Sequence, residues 1–326
     1  MKNKRILSGI QPSGQVHIGN YFGMMKQMID LQNDNELLCF IPNYHALTSQ
    51  NFGENLSYNT LDTAANFLSL GLNPDKSIFW VQSDIPEVAE LNWILSNFVS
   101  VSSLERSTSY KDKISKGLKP NHGLFSYPIL MAADILLFGA EVVPVGKDQK
   151  QHLEITRDIV SKFNSVFGDL LVKPKPLITE LTGLVLGTDG QKMSKSYNNC
   201  LEIFCDKDEL SKKIMRIKTD NSQLDQPKKT VGNPLFEIYC LFLNEKEKID
   251  LEKRFKTPGL RYSDIKNELI ETFWSYFSLA RERKKTIFSD KDLIIKILKD
   301  GSKKAKELSS PIINRIRKKT GLNYLN

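Results

Sequence analysis

Four short apolar runs constrain this chain most: Ile6–Ile10, Leu37–Ile41, Ile78–Val81 and Val142–Val145. Segments of helix length separate them. The first carries Tyr21, Met24, Met25, Met28 and Ile29 at helical spacing, and the second holds a helical stretch ending at Gly71. Strands alternating with helices predict βαβ units and a parallel sheet. On such sheets ligands bind beyond the carboxyl ends of the strands, so chemistry is expected in the loops that follow them.

The segment 94–122 interrupts this rhythm and reads as a helical insertion rather than a core unit. After about residue 196 only helical patterns remain. Ile265, Leu269, Phe273 and Phe277 mark one helix. Ser289-x-x-Asp292 has the form of a capping box opening a second, with Leu293, Ile294, Ile297 and Leu298 on its apolar face and Gly301 past its end. Ile312 and Ile316 mark a last helix stopped near Gly321.

The net charge of +8 matters mainly through its placement. From about residue 246 onward basic residues are dense, as in Arg281-Glu282-Arg283-Lys284-Lys285 and Arg315-Ile316-Arg317-Lys318-Lys319. Such a half suits a polyanionic partner, and it equally suits solvated helix faces. No apolar run approaches the roughly 20 residues of a membrane helix. The basic start Met1-Lys2-Asn3-Lys4-Arg5 is followed by an apolar stretch too short for a signal peptide, so a cytoplasmic protein is expected. The four cysteines form no C-x-x-C pair or zinc spacing, and Cys39 reads as a small core residue.

Two segments carry the chemistry. Gln11-Pro12-Ser13-Gly14-Gln15-Val16-His17-Ile18-Gly19-Asn20 joins the first strand to the first helix. Pro12 and Gly14 shape a tight loop. Gly19 offers bare backbone to a flat adenine, His17 and Asn20 can donate to phosphate oxygens, and the helix start favours anions. Lys192-Met193-Ser194-Lys195-Ser196 follows Gly187-Thr188-Asp189-Gly190-Gln191. Its two lysines suit phosphate oxygens that gain charge in phosphoryl or adenylyl transfer, and Gly187 and Gly190 would let the loop close and reopen. Taken singly, each segment could be an ordinary glycine turn or an exposed basic loop.

The pair resembles the signature motifs of the class I aminoacyl-tRNA synthetases. Asn20, within P-S-G-x-x-H-x-G-N-Y, stands where many members carry histidine, and this resembles the tryptophanyl-tRNA synthetases. The likeness runs from residue 5 to the C-terminus. It extends to an apolar helix, Phe125-Ser126-Tyr127-Pro128-Ile129-Leu130-Met131-Ala132-Ala133-Asp134-Ile135-Leu136, with Pro128 allowed in its first turn. Tyr127, Met131 and Asp134 share one face there. A carboxylate on so apolar a helix needs a partner, and an indole N–H is a donor without an acceptor. Val142-Val143-Pro144-Val145-Gly146-Lys147-Asp148-Gln149 and Asn43-Tyr44-His45-Ala46-Leu47-Thr48 complete the likeness, with Lys147 and Asn43 as departures from acidic residues usual in the family. His45 could also be a loop histidine bonded to backbone, and His152 reads as structural.

What the resemblance implies is specific. The fold is α/β, a Rossmann-like doubly wound parallel sheet with a helical insertion and a C-terminal helical domain. A catalytic domain spans 1–196 and a basic helical domain for the tRNA anticodon spans 197–326. The substrates are ATP, with Mg²⁺ held by phosphates and water, L-tryptophan and tRNA(Trp), and the protein is a homodimer. His17, Asn20, Lys192 and Lys195 act in catalysis. Gln11 and Ser13 join them on the phosphates. Gly19, Gly146, Asp148 and the backbone near Val185 or Leu186 meet the adenosine, with Pro12, Lys147, Met193, Ser194 and Ser196 around the nucleotide. His45, Tyr127, Met131, Asp134 and Gln149 line the amino-acid pocket.

Three alternatives compete. A tyrosyl enzyme typically has glutamine in a Tyr-x-x-x-Gln-x-x-Asp helix, and Met131 cannot hydrogen-bond as glutamine does. A small-molecule nucleotidylyltransferase would not need the basic helical half or the full Lys192–Ser196 loop. A nucleic-acid-binding protein without catalysis would not bind ATP. No Walker-type phosphate loop is present.

Overall fold

The structure is a computed structural model that describes residues 2–12, 14–48, 52–107, 110–111, 114, 117, 121–146, 149–178 and 185–324. Ser13, Lys147 and Asp148, three of the expected nucleotide contacts, lie outside the described residues. Five parallel strands form one sheet: β1 (Arg5–Gly9), β2 (Glu36–Ile41), β3 (Ser77–Val81), β4 (Val142–Pro144) and β5 (Lys175–Leu177), in the order β3-β2-β1-β4-β5. β1 pairs with β2 on one side and with β4 on the other, so the strand order reverses at β1 and the sheet is doubly wound. The loops after β1 and β4, which hold Gln11, Pro12 and Gly146, flank that reversal. β5 escaped the sequence pattern because Lys175-Pro176-Leu177 is too short for a period and carries a proline, which an edge strand tolerates.

The inner parts of β1 to β4 are largely apolar because both faces are covered. Leu7, Leu38, Phe40 and Trp80 belong to a core shared with helices α5 (Glu87–Ser96), α7 (His122–Leu137), α8 (Lys150–Phe167) and α14 (Lys291–Thr320). Phe79 points the other way, where its ring lies 5.5 Å from Phe67 of α4 (Glu54–Ser69). Cys39 is fully buried in β2.

By contacts the chain forms two compact units rather than two consecutive stretches. The sheet unit is Met1–Gly14, Met28–Glu180 and Ile287–Asn326, and the second unit is Gln15–Gln27 with Leu181–Thr286. Ile94, Leu95 and Leu104, inside the expected insertion, sit in the sheet unit's core, so that segment is not merely inserted. α6 (Val101–Glu105) contributes the last of them.

Among its described residues the second unit's regular structure is helical apart from short bridges, with irregular stretches between: α9 (Lys207–Met215), α10 (Pro234–Cys240), α11 (Glu245–Lys256), α12 (Tyr262–Tyr276) and most of α13 (Ser278–Ser289). Ile265, Leu269 and Phe273 are buried along α12, with Phe277 closing its end.

Three local expectations change. α7 begins at His122, capped by the Asn121 side chain accepting from Leu124 N at 2.7 Å, so Pro128 lies inside the helix and not in its first turn. The cap of α14 is Asp290, whose side chain accepts from Leu293 N, in place of a Ser289 box. Gly301 does not end that helix, and the two expected C-terminal helices are one of 30 residues, stopped at Gly321 in the left-handed conformation. A Cβ at Gly301 would lie 1.7 Å from the Phe79 carbonyl oxygen. The glycine is there so that α14 can press against the backbone of β3, and this packing outweighs the roughly 1 kcal/mol a helical glycine costs.

Candidate active site

The expected site residues fall into two groups, one in each unit. In the sheet unit helix α7 carries Asp134, only 2% exposed. Both of its oxygens are occupied: His45 Nε2 lies 2.9 Å from Oδ2, and Gln82 Nε2 donates to Oδ1 and Oδ2 at 2.8 Å each. His45 comes from α3 (Asn43–Leu47), after β2, and is itself buried. Burial pushes the Asp134 carboxyl above the usual carboxylate range, opposed by its bonds to His45 and Gln82. Sequence reading missed Gln82. It lies just past β3, and its position at a strand's carboxyl end is the signal that could have found it.

Two turns earlier on α7, the Tyr127 hydroxyl lies 2.8 Å from His152 Nε2, and His152 Nδ1 lies 2.8 Å from Gln149 Oε1. A glutamine oxygen only accepts, so a neutral His152 carries its proton on Nδ1 and accepts from Tyr127. His152 is fully buried, which bears out its structural character while giving it two expected pocket residues to hold. Met131 packs against the sheet unit's core. A cavity of about 320 Å³ is lined by Tyr44, Thr48, Asn92, Asn121, Tyr127 and Leu130. Asp134 and His45 are not among its lining residues.

In the second unit the two signature segments meet. α1 (Ile18–Asn20) continues through a π-helical turn at Tyr21–Met25 into α2 (Lys26–Leu31). Asn20 Oδ1 accepts from His17 N at 3.2 Å, which secures the helix start. The backbone around His17 is bridged to residues that follow the lysine loop: Ile18 N donates to Leu201 O at 3.0 Å and Ile203 N to Val16 O at 3.0 Å. Gly19 is less bare than expected. A Cβ there would lie 2.9 Å from His17 Nδ1 and 3.2 Å from Met193 Sδ, so its missing side chain makes room for those two.

The lysine loop is a hairpin. Leu186 bridges Lys192, Met193 N donates to Val185 O at 2.9 Å, and Gly187 N donates to Gln191 O at 2.7 Å. Gly190 holds the turn with φ of +84°. Lys195 and Ser196 lie in a short 3-10 turn. His17 is 6% exposed, and its Nδ1 has no hydrogen-bond partner among the described residues. Burial, with the Lys195 charge adding, lowers its imidazole to about 4. His17 is therefore neutral at physiological pH, able to donate from one nitrogen and accept at the other.

The basic run after residue 280 is not a uniform free surface. Arg281 stacks 3.7 Å from the Trp274 ring centre, and Lys284 sits 4.3 Å over Phe204. In the sheet unit, Arg317 is paired with Glu90, its Nε donating to Oε1 at 2.8 Å.

A doubly wound parallel sheet whose chain joins a His17–Asn20 helix start to a Lys192–Ser196 hairpin has the organisation of a class I aminoacyl-tRNA synthetase. Residues 1–278 match the family described as tRNA synthetases class I (W and Y). The chain is 48% identical over 318 residues to a tryptophan–tRNA ligase of Campylobacter jejuni (strain RM1221), covering 98% of this chain and 100% of that one. It is 47% identical over 320 residues to a tryptophan–tRNA ligase of Fusobacterium nucleatum, covering 98% of each. Among solved structures it is similar to a C. jejuni tryptophanyl-tRNA synthetase complexed with ADP and tryptophan, with a TM-score of 0.90, 48% identity, and 97% and 99% of the two chains covered. The chain belongs to this family, on its tryptophan branch.

Proposed function

We propose that the chain is an ATP-dependent ligase that activates L-tryptophan as the adenylate and transfers it to the acceptor end of tRNA(Trp). The observation that carries this is that one unit holds both the His17–Asn20 helix start and the Lys192–Ser196 loop, with backbone bonds on both sides of His17 to Leu201 and Ile203, which follow that loop. The tryptophan carboxylate attacks the α-phosphate of ATP, and pyrophosphate leaves. A terminal hydroxyl of the tRNA then attacks the activated carbonyl, and AMP leaves.

No enzyme nucleophile is needed. Catalysis comes from positioning and from stabilising charge on the phosphate oxygens. A neutral His17 donates a hydrogen bond, and Asn20, its Oδ1 held by the backbone, presents its amide N–H₂. Lys192 and Lys195 supply positive charge. Gln11, Pro12, Ser13, Gly146, Lys147, Asp148 and the Val185–Leu186 backbone are assigned to the rest of the nucleotide, beside Gly19, Met193, Ser194 and Ser196. Mg²⁺ accompanies the ATP phosphates, and no protein side chain is assigned to it.

Specificity is assigned to α7. An ionised Asp134 has acceptor capacity beyond its two donors, and the indole N–H is a suitable third. Met131 packs the ring, while Tyr127 and Gln149, oriented by His152, take the polar end of the amino acid. His45 acts by holding Asp134. Residues 197–326 are assigned to the anticodon arm, a homodimer is the assembly, and the cytoplasm is the setting. No helix among the described residues is long and apolar enough to cross a membrane. The test is amino-acid-dependent exchange of pyrophosphate into ATP, run with tryptophan and tyrosine side by side. Exchange with tryptophan alone is expected, and exchange with neither overturns the proposal.

A further inference from the structure

The lysine hairpin is held by a residue outside its five-letter motif. Asn199 is 2% exposed and makes four hydrogen bonds to that hairpin. Its Oδ1 accepts from Ser194 N at 2.8 Å, and its Nδ2 donates to Lys192 O at 3.1 Å and to Asp189 Oδ1 at 2.8 Å. Its backbone oxygen accepts from Thr188 N at 3.0 Å. Asp189 in turn accepts from Gln191 N at 2.9 Å. The side-chain amide therefore grips the second arm and the turn of the hairpin, and the backbone oxygen of the same residue holds Thr188, where the first arm enters the turn.

Space has been made for it. A Cβ at Gly187 would lie 2.2 Å from Asn199 Nδ2 and 2.3 Å from its Cγ. Gly187 has no left-handed φ to explain it, so its lack of a side chain is what matters here. Any side chain at 187 meets the Asn199 amide. The chemistry of the contact is also specific. One end must accept from Ser194 N while the other donates to the Lys192 carbonyl and the Asp189 carboxylate. An amide does both at once, and a carboxylate or an aliphatic group of the same size does not.

We infer that Asn199 is a positioning residue for the activation step, with Gly187 and Asp189 as its seat, fixing the backbone from which Lys192 and Lys195 project. The inference rests on the proposed function above. Displacing a charge donor by even an ångström costs rate far more than it costs ground-state binding, because the donor serves charge that grows only in the transition state.

The experiment measures tryptophan-dependent pyrophosphate exchange, tryptophan binding by fluorescence and thermal melting for the full chain, its Asn199→Ala and Asn199→Asp variants, and the double variant Asn199→Asp with Asp189→Asn. The Ala variant is expected to lose about 10- to 100-fold in kcat, with tryptophan affinity held. The Asp variant sets two carboxylates against each other and is expected to lose at least as much. The double variant restores a donor–acceptor pair and is expected to recover part of the lost kcat. Folded single variants with kcat within about twofold of the parent, the scale on which an equilibrium shift is under RT ln 2, overturn the inference, as does a double variant no better than Asn199→Asp alone. If the parent chain itself shows no tryptophan-dependent exchange, the proposed function fails instead. If the Asp variant does not fold, the Ala variant decides through its kcat against its tryptophan affinity.

Discussion

The two groups of expected site residues, one in each unit, meet their polar atoms differently. Around Asp134 a carboxyl is buried to 2% exposure with both oxygens met, by His45 and Gln82. Around His17 the imidazole keeps an unmatched Nδ1 among the described residues, while Lys192 stands on the backbone hairpin and Lys195 in the 3-10 turn after it. Under the proposed function, the first arrangement would read an uncharged ring, and the second would meet charge that develops during reaction with donors placed in advance.

The sharpest way to break this contrast is Asp134→Ala. It leaves His45 and Gln82 facing a buried void, and unfolding free energy is expected to fall by about 3–5 kcal/mol, read by urea titration, together with loss of tryptophan binding. A variant that keeps its stability removes the claim that the pocket is a matched network. Lys195→Ala probes the other side. Pyrophosphate exchange is expected to drop about 10²- to 10³-fold, while tryptophan affinity and the urea midpoint stay put. Equal losses in binding and rate would merge the two regions into one.

Titration separates them next. The folded His17 value of about 4 lies below the unfolded 6.5, so the unfolded chain binds the extra proton between those values. Stability from this group is complete above about pH 6.5 and is lost as pH falls toward 4, roughly 3 kcal/mol in all. A His17→Gln variant is expected to show a shallower stability slope over that window, and an unchanged slope refutes the buried neutral imidazole. The smallest effect belongs to Tyr127→Phe, which removes its bond to His152. About 1 kcal/mol of stability and a modest rise in KM for tryptophan are expected, with KM for ATP unchanged.

Much of this was legible in the chain. The strand runs lay within one residue of β1 to β3, because buried parallel strands advertise themselves as continuous apolar segments. The signature segments were visible because their chemistry needs particular side chains at fixed spacing. What stayed hidden depends on neighbours far along the chain. Gln82 gains its meaning only from Asp134, and Asn199 only from a hairpin that folds back on it. Gly301 looked like a stop because glycine commonly ends a helix, whereas its reason is the backbone of Phe79. Pro128 was misplaced for a related cause: Asn121 caps α7 earlier than the apolar pattern begins.

The position of α14 has a consequence for how the molecule comes into being. Its Ala305, Ile313 and Ile316 belong to the same core as Leu7 and Trp80, so the sheet unit joins the first residues translated to nearly the last. A ribosome delivering this chain from its N-terminus presents β1 to β3 long before their cover exists, and the second unit is complete while the first still waits. The nascent sheet therefore carries its greatest risk of aggregation late in synthesis. A stop codon a few dozen residues early would strike the oldest part of the protein rather than the youngest.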